Sequence, residues 1–353
     1  MIISEKQPLG MAVLLIVALL YVGRNSITCS ASIGVNYGQL GDNLLPPQQA
    51  VQLLQSTPFT KIKIFDANPA VLNALANTNL QVVVGMGNEY LENMATDASA
   101  AQAWVTQNVA AFLPATQITC INVGNEVLTF NDLQLVSNLL PAMVNIHAAL
   151  VTMNLDGQVK VSTAHSYGVL SLSFPPSAGS FRPDLSLTIM KPILDFLSQT
   201  NSVFMANVYP FFAYSGSPLD ISLPYALFLA DQKVTDPLTG LSYSNLFTAQ
   251  VDAVYAALDQ LGYQDLPVVV SETGWPSQGD ADQAGAGMQN AKDYNQNLIS
   301  YVTTTMGTPL KPQQALDVYI FALFNEDEKP GPTSERNFGL FNPDGTAVYS
   351  LGG

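Results

Sequence analysis

The chain has 353 residues, 48% of them apolar and only 11% charged, with a formal net charge of −15. That length suits one large α/β domain, and apolar residues spread along the whole chain exclude extended disorder. The acidic balance excludes nucleic acid and anionic membrane surfaces as partners, since both would be repelled, and leaves a neutral polymer open.

At the start, Lys6 precedes an apolar run from Met11 to Val22, followed by Arg24 and small residues at Ser30-Ala31-Ser32. This order predicts a secretory signal peptide over residues 1–32, cleaved before Ile33, because so short a run does not cross a hydrocarbon core of roughly 30 Å. The catalytic domain is expected over 33–350, with no integral membrane segment in the mature chain. Cleavage would remove Cys29 and leave Cys120, inside an apolar strand, as a small buried hydrophobe and not a nucleophile.

From Ile33 onward, apolar runs alternate with stretches of helical period, the pattern of repeated β-α units around a parallel sheet. The first strand is Ile33 to Tyr37, followed by a helix opened by Pro46-Pro47. The second, Lys61 to Asp66, leads to a helix starting at Pro69, where proline suits a first turn that has no use for its N–H. Gln81 to Gly85 is the third, with its helix over Ala98 to Phe112. The fourth runs from Ile118 and ends at Glu126. Its helix, Leu133 to Asn154, turns His147 toward the core. The fifth, Val159 to Ala164, ends at His165 and Ser166, where a substrate contact is open. The sixth, Val203 to Tyr209, leads into an aromatic-rich excursion from Phe211 to Phe247, too long for an ordinary βα loop and therefore expected to form a small subdomain on the top face. A helix over Thr248 to Leu261, the strand ending at Glu272, a helix from about Ala284 to Met306 and an eighth strand from Asp317 to Phe324 complete the count. The expected fold is a (β/α)8 TIM barrel with a small subdomain inserted after strand 6.

The stretch that carries most information is Val268-Val-Val-Ser-Glu-Thr-Gly-Trp-Pro-Ser277. A β-branched run of this kind reads as a strand buried on both faces, and it delivers Glu272 at its end, where barrel enzymes keep their chemistry. Alone, such a Glu could merely cap the next helix. Ile118-Thr-Cys-Ile-Asn-Val-Gly-Asn-Glu126 repeats the design. Two carboxylates on two strand ends match the parts list of glycosidic bond cleavage, one acid for the leaving oxygen and one carboxylate to attack or to activate water. Other reaction classes lack their parts. No His-Glu-x-x-His, Cys-x-x-Cys, Gly-x-Ser-x-Gly or Gly-x-Gly-x-x-Gly pattern occurs, and neither of the two histidines has a serine in an elbow-like setting. No cofactor or metal is called for.

Six motifs in order carry a resemblance: Ile33-Gly-Val-Asn-Tyr-Gly38, Val123-Gly-Asn-Glu-Val127, Ala206-Asn-Val-Tyr-Pro210, the Glu272 stretch, Phe324-Asn-Glu-Asp-Glu-Lys329 and Glu335-Arg-Asn-Phe-Gly-Leu-Phe-Asn-Pro343. Over Ile33 to about Tyr349 the chain resembles the plant endo-1,3-β-glucanases of glycoside hydrolase family seventeen. That resemblance implies a retaining hydrolase of 1,3-β-glucan, callose or laminarin-like, with Glu272 as nucleophile and Glu126 as general acid/base. Retention would require the two carboxyls to lie about 5–5.5 Å apart. It further implies that Asn125 bonds the sugar 2-hydroxyl, that Tyr209 orients Glu272, and that Glu326, Lys329 and Glu335 line the active-site region. The alternative for this trio is a salt-bridged rim, favoured here, in which Lys329 restrains Glu326 or Glu335 and helps keep the nucleophile ionised. Tyr37, Phe65, Tyr209, Phe212, Trp275 and Phe324 are candidate sugar platforms; core packing is an equal alternative for Phe65 and Phe324. The expected partner is a 1,3-β-glucan, met by a secreted monomer in the cell wall space. A 1,3-β-glucan transglycosylase, sharing the same covalent intermediate, and a glucan-binding protein without catalysis remain as alternatives.

Overall fold

Strand alternation and helix caps in this sequence resolve into eight barrel strands with helices between them in a computed structural model, which describes residues 32–129, 132–305 and 307–351. The expected leader over 1–32 lies outside the described residues except at Ser32. Strands β1 (Ile33–Tyr37), β2 (Lys61–Ile64), β3 (Gln81–Met86), β4 (Gln117–Asn125), β5 (Lys160–Ser166), β6 (Phe204–Asn207), β7 (Val268–Thr273) and β8 (Asp317–Ile320) pair in parallel with their sequence neighbours, and β8 closes onto β1. The fold is the expected (β/α)8 barrel.

Between the strands run α1 (Pro47–Gln55), α2 (Pro69–Ala74), α3 (Ala98–Asn108), α4 (Leu133–Thr152), α5 (Lys191–Gln199), α6 (Leu246–Gln260) and α7 (Met288–Thr304). Their starts follow the local chemistry. Proline stands in the first turn of α1 and α2, and Asp97, Asp132 and Asn245 accept backbone N–H groups at the heads of α3, α4 and α6. α4 is long and apolar enough to span a membrane by composition, but Leu139, Met143, Ile146 and Leu150 are buried in the protein.

Alternation along each strand divides the core in two. In β2, Ile62 and Ile64 join the large cluster between sheet and helices, whereas Val83, Cys120, Ala164, Met205, Val269 and Tyr319, one from each of six strands, form a separate cluster inside the barrel. Cys120 is the buried apolar side chain expected, and burial pushes its thiol up to about 12.

The top-face addition differs from expectation in one respect. The excursion after β6 does fold into short helices at Pro210–Gly216 and Leu223–Ala226 and a ribbon pairing Val234–Thr235 with Ser242–Tyr243. A second ribbon, Leu170–Leu172 with Ser180–Phe181, comes from the loop after β5. Asp236 ties the two loops, accepting the Ser177 backbone N–H at 2.8 Å and its hydroxyl at 2.9 Å. The last helix also starts later than the hydrophobic pattern suggests, because residues before Met288 are held in a loop by other partners.

Candidate active site

A cleft of about 760 Å³ opens at the C-terminal ends of the strands. Among its lining residues are Glu126, Glu272, Asn125, Tyr209, Phe212, Phe65, Glu326, Lys329 and Glu335. Both strands that carry the paired glutamates break register near their ends: β4 slips against β5 between Asn122 and Asn125, and β7 slips against β6 between Val270 and Glu272. Such bulges bend a strand and re-aim its side chains.

Glu272 is buried at the end of β7, with one oxygen 2.7 Å from the Lys63 ammonium and the other accepting the Tyr209 hydroxyl at 3.0 Å. Lys63 is fully buried and also sits 4.1 Å from the centre of the Phe65 ring. Both carboxylate oxygens are thus occupied, one by a cation and one by a hydroxyl donor.

Glu126 stands in a different environment. Asn207 donates to its Oε1 at 2.8 Å, and the Ser271 hydroxyl holds the Asn207 oxygen at 2.7 Å, so this amide is fixed with its NH2 toward Glu126. Burial raises the proton affinity of Glu126, and the negative charge of Glu272 raises it further, against the opposing pull of Asn207 and Lys63. One carboxylate is therefore tied to a cation while its neighbour is pushed toward the protonated form, the separation that acid and nucleophile need.

The rim is built from the loop after β8. Glu326 accepts the Leu40 N–H at 2.9 Å, and a side chain at residue 38 would bring its Cβ within 2.2 Å of the same carboxylate, so any residue larger than glycine there would displace it. Lys329 lies 3.9 Å from Glu326 and 4.1 Å from the Phe321 ring centre. Burial raises both Glu326 and Glu335 above the usual carboxylate range, with Lys329 opposing the shift in each.

Glycosyl hydrolases family 17 is the family model that matches, over residues 33–352. The chain belongs to that family. Relatives include glucan endo-1,3-beta-glucosidase 11 of Arabidopsis thaliana, 54% identical over 327 residues that cover 92% of this chain and 76% of the relative. Glucan endo-1,3-beta-D-glucosidase of Olea europaea is 45% identical, covering 97% of this chain and 74% of the relative. Among solved structures, CJP38, a beta-1,3-glucanase and allergen of Cryptomeria japonica pollen, superposes with a TM-score of 0.87 at 46% identity, covering 90% of this chain and 98% of that one.

Within this family 17 barrel, several sequence expectations need correction. Trp275 is not a sugar platform: it is fully buried, donates its indole N–H to the Gly285 carbonyl at 2.7 Å, and packs on Phe211 and Tyr294. Tyr37 is buried as well, edge-on to Phe324, and neither ring lines the cleft. Of the strand-end aromatics, Phe65, Tyr209 and Phe212 line it, with Phe212 the most open at 46% exposure. His165 is buried and stacks on Phe204, outside the cleft lining, whereas Ser166 does reach the cleft. His147 packs edge-on against Phe196.

Two further residues escape the sequence reading. The cation on the nucleophile candidate is Lys63, not Lys329, whose ion pair is with Glu326. The signal was the Lys61-Ile-Lys-Ile64 alternation, which turns both lysines to the inner face when the isoleucines face the helices. Asn207, inside the Ala-Asn-Val-Tyr-Pro motif, is the partner of Glu126.

Proposed function

We propose that this family 17 chain is a secreted, retaining endo-hydrolase of 1,3-β-glucan that works through a covalent glucosyl-enzyme intermediate. The observation that carries the reading is the pair of unlike carboxylates in one cleft: Glu272 held by Lys63 and Tyr209, and Glu126 shifted toward its protonated form beside Asn207. The named relatives, glucan endo-1,3-beta-glucosidases, support the substrate class.

In the first step the Glu272 carboxylate attacks the anomeric carbon, the glycosidic C–O bond breaks, and the Glu126 proton passes to the departing oxygen. In the second, Glu126, now a carboxylate, takes a proton from water as that water attacks the anomeric carbon and releases Glu272. The Lys63 ammonium and the Tyr209 hydroxyl hold the two oxygens of the nucleophile in place before attack. Asn125 lines the same cleft next to Glu126 and is the donor proposed for the sugar 2-hydroxyl. Phe65 and Phe212 offer faces on which glucosyl rings pack.

Incubation with laminarin and with mixed-linkage glucan, followed by sizing of products, tests the assignment. Short products of inner 1,3 cleavage are expected, and elongated products would replace the hydrolase reading with a transglycosylase one. Release of reducing sugar should disappear in Glu272→Ala; unchanged release would remove Glu272 from its role. Secretion is tested by expressing the full chain in plant cells and sequencing the N-terminus of the extracellular product, expected near Ile33.

A further inference from the structure

The geometry points to Asn88 as a positioning residue for the acid/base carboxylate, an inference that rests on the proposed role of Glu126. Glu126 has φ = 52° and Gly124 has φ = 66°, so two left-handed residues flank Asn125. A non-glycine residue stays in that region only where its surroundings impose it.

Several hydrogen bonds do so here. The Glu126 N–H donates to the Ala164 carbonyl at 2.9 Å, Thr129 N–H donates to the Glu126 carbonyl at 2.9 Å, and the Asn122 amide donates to the Gly124 carbonyl at 2.8 Å. The remaining peptide groups, those of Asn125, are held by a side chain from the loop that follows β3. Asn88 accepts the Asn125 N–H at 2.8 Å with Oδ1 and donates from Nδ2 to the Asn125 carbonyl at 3.1 Å.

Asn88 opens the short 3-10 turn Asn88–Tyr90 just beyond β3 and does not line the cleft. It therefore acts through the backbone and not on substrate. A planar amide carries one acceptor and one donor at the spacing of a single residue's N–H and C=O, so it clamps both at once. A carboxylate in its place would keep the first bond and set an oxygen against the Asn125 carbonyl. Contact is close: a Cβ added at Gly124 would come within 3.0 Å of Asn88 Oδ1. Releasing this clamp lets the Asn125-Glu126 peptide relax from its left-handed conformation and swings the Glu126 carboxyl away from the leaving oxygen.

The test separates bonds that need a proton from bonds that do not. Values of kcat/KM are measured for the wild type, Asn88→Ala, Asn88→Asp and Glu126→Ala on a laminari-oligosaccharide, whose sugar leaving group needs an acid, and on 2,4-dinitrophenyl β-laminaribioside, whose phenolate leaves without one. Asn88→Ala should lose roughly 10- to 100-fold on the oligosaccharide, the scale of a small misplacement, and less than about threefold on the aryl glycoside. Asn88→Asp should show the same split. Should the alanine variant fail to fold, the isosteric aspartate carries the test alone. Equal losses on both substrates, or no loss on either, overturn the inference while leaving Glu126 in place. Absence of the split in Glu126→Ala overturns the acid/base reading itself, and the role of Asn88 with it.

Discussion

Replacing Lys63 by methionine keeps a long apolar stem against Phe65 and removes the ammonium that lies 2.7 Å from Glu272. At an effective dielectric of about 20, two unit charges at that spacing attract by about 6 kcal/mol before desolvation is counted. Breaking a buried pair by deleting one partner costs about 3–5 kcal/mol, and both side chains here are nearly sequestered, at 0% and 8% exposure. The Tyr209 hydroxyl remains, at 3.0 Å. Deleting the ammonium alone leaves the Glu272 carboxylate buried with the Tyr209 hydroxyl against it, so Lys63→Met should lose about 3–5 kcal/mol of stability. The assay is denaturant unfolding of wild type and variant, with the fold of the variant checked by circular dichroism. A loss of less than about 1 kcal/mol would refute the reading of Lys63 as the buried partner of Glu272.

In the proposed mechanism Glu126, raised by burial and by Glu272, acts in its protonated form, so kcat/KM should fall as pH rises through its pKa; Glu126→Gln should abolish that basic limb and slow oligosaccharide cleavage by about 10²–10⁴-fold. Asp252 is 1% exposed, and burial lifts its carboxyl from 3.8 to about 6. A raised folded-state pKa favours folding when protonated, and this advantage is complete below about pH 3.8 and lost as pH rises through about 6, a difference of about 3 kcal/mol. Asp252→Asn should therefore raise Tm at neutral pH in calorimetry, with the gain shrinking toward acid; an unchanged Tm at neutral pH would count against it. Trp275→Ala should cost about 3–5 kcal/mol of stability in denaturant melts, as a core cavity does. Phe212→Ala should leave stability alone and reduce kcat/KM on long glucan by about 3- to 10-fold; the reverse pattern would return Trp275 to the cleft.

The barrel was legible because its strands are short apolar runs set at regular intervals and ended by polar residues, as at Val268 to Glu272. Strand ends were legible for the same reason, so the sequence alone points to Glu126 and Glu272. What could not be read was side-chain direction where the strand stops. Trp275 follows a strand much as Tyr209 does and Tyr37 ends one, but Trp275 finds a carbonyl for its indole at Gly285 and Tyr37 finds Phe324, and both turn inward. Lys63 was hidden by the opposite effect, a charge inside an apolar run, whose partner is 209 residues away in sequence. The ribbon after β5 was missed because its strands of three and two residues are too short to set up a period.

Glu126 and Glu272 share a continuous rail: Glu126 to Asn207, Asn207 to Ser271, and Ser271 directly before Glu272 in the chain. All of these residues belong to strand ends, whereas the top-face ribbons and short helices come from the loops after β5 and β6. The spacing of the two carboxylates and the top-face wall of the cleft are thus encoded in separate parts of the molecule. Grafting those two loops beyond Tyr209 between homologous barrels should change which glucan is accepted while the paired glutamates and their rail stay in place, so the scaffold is suited to diversification by loop exchange.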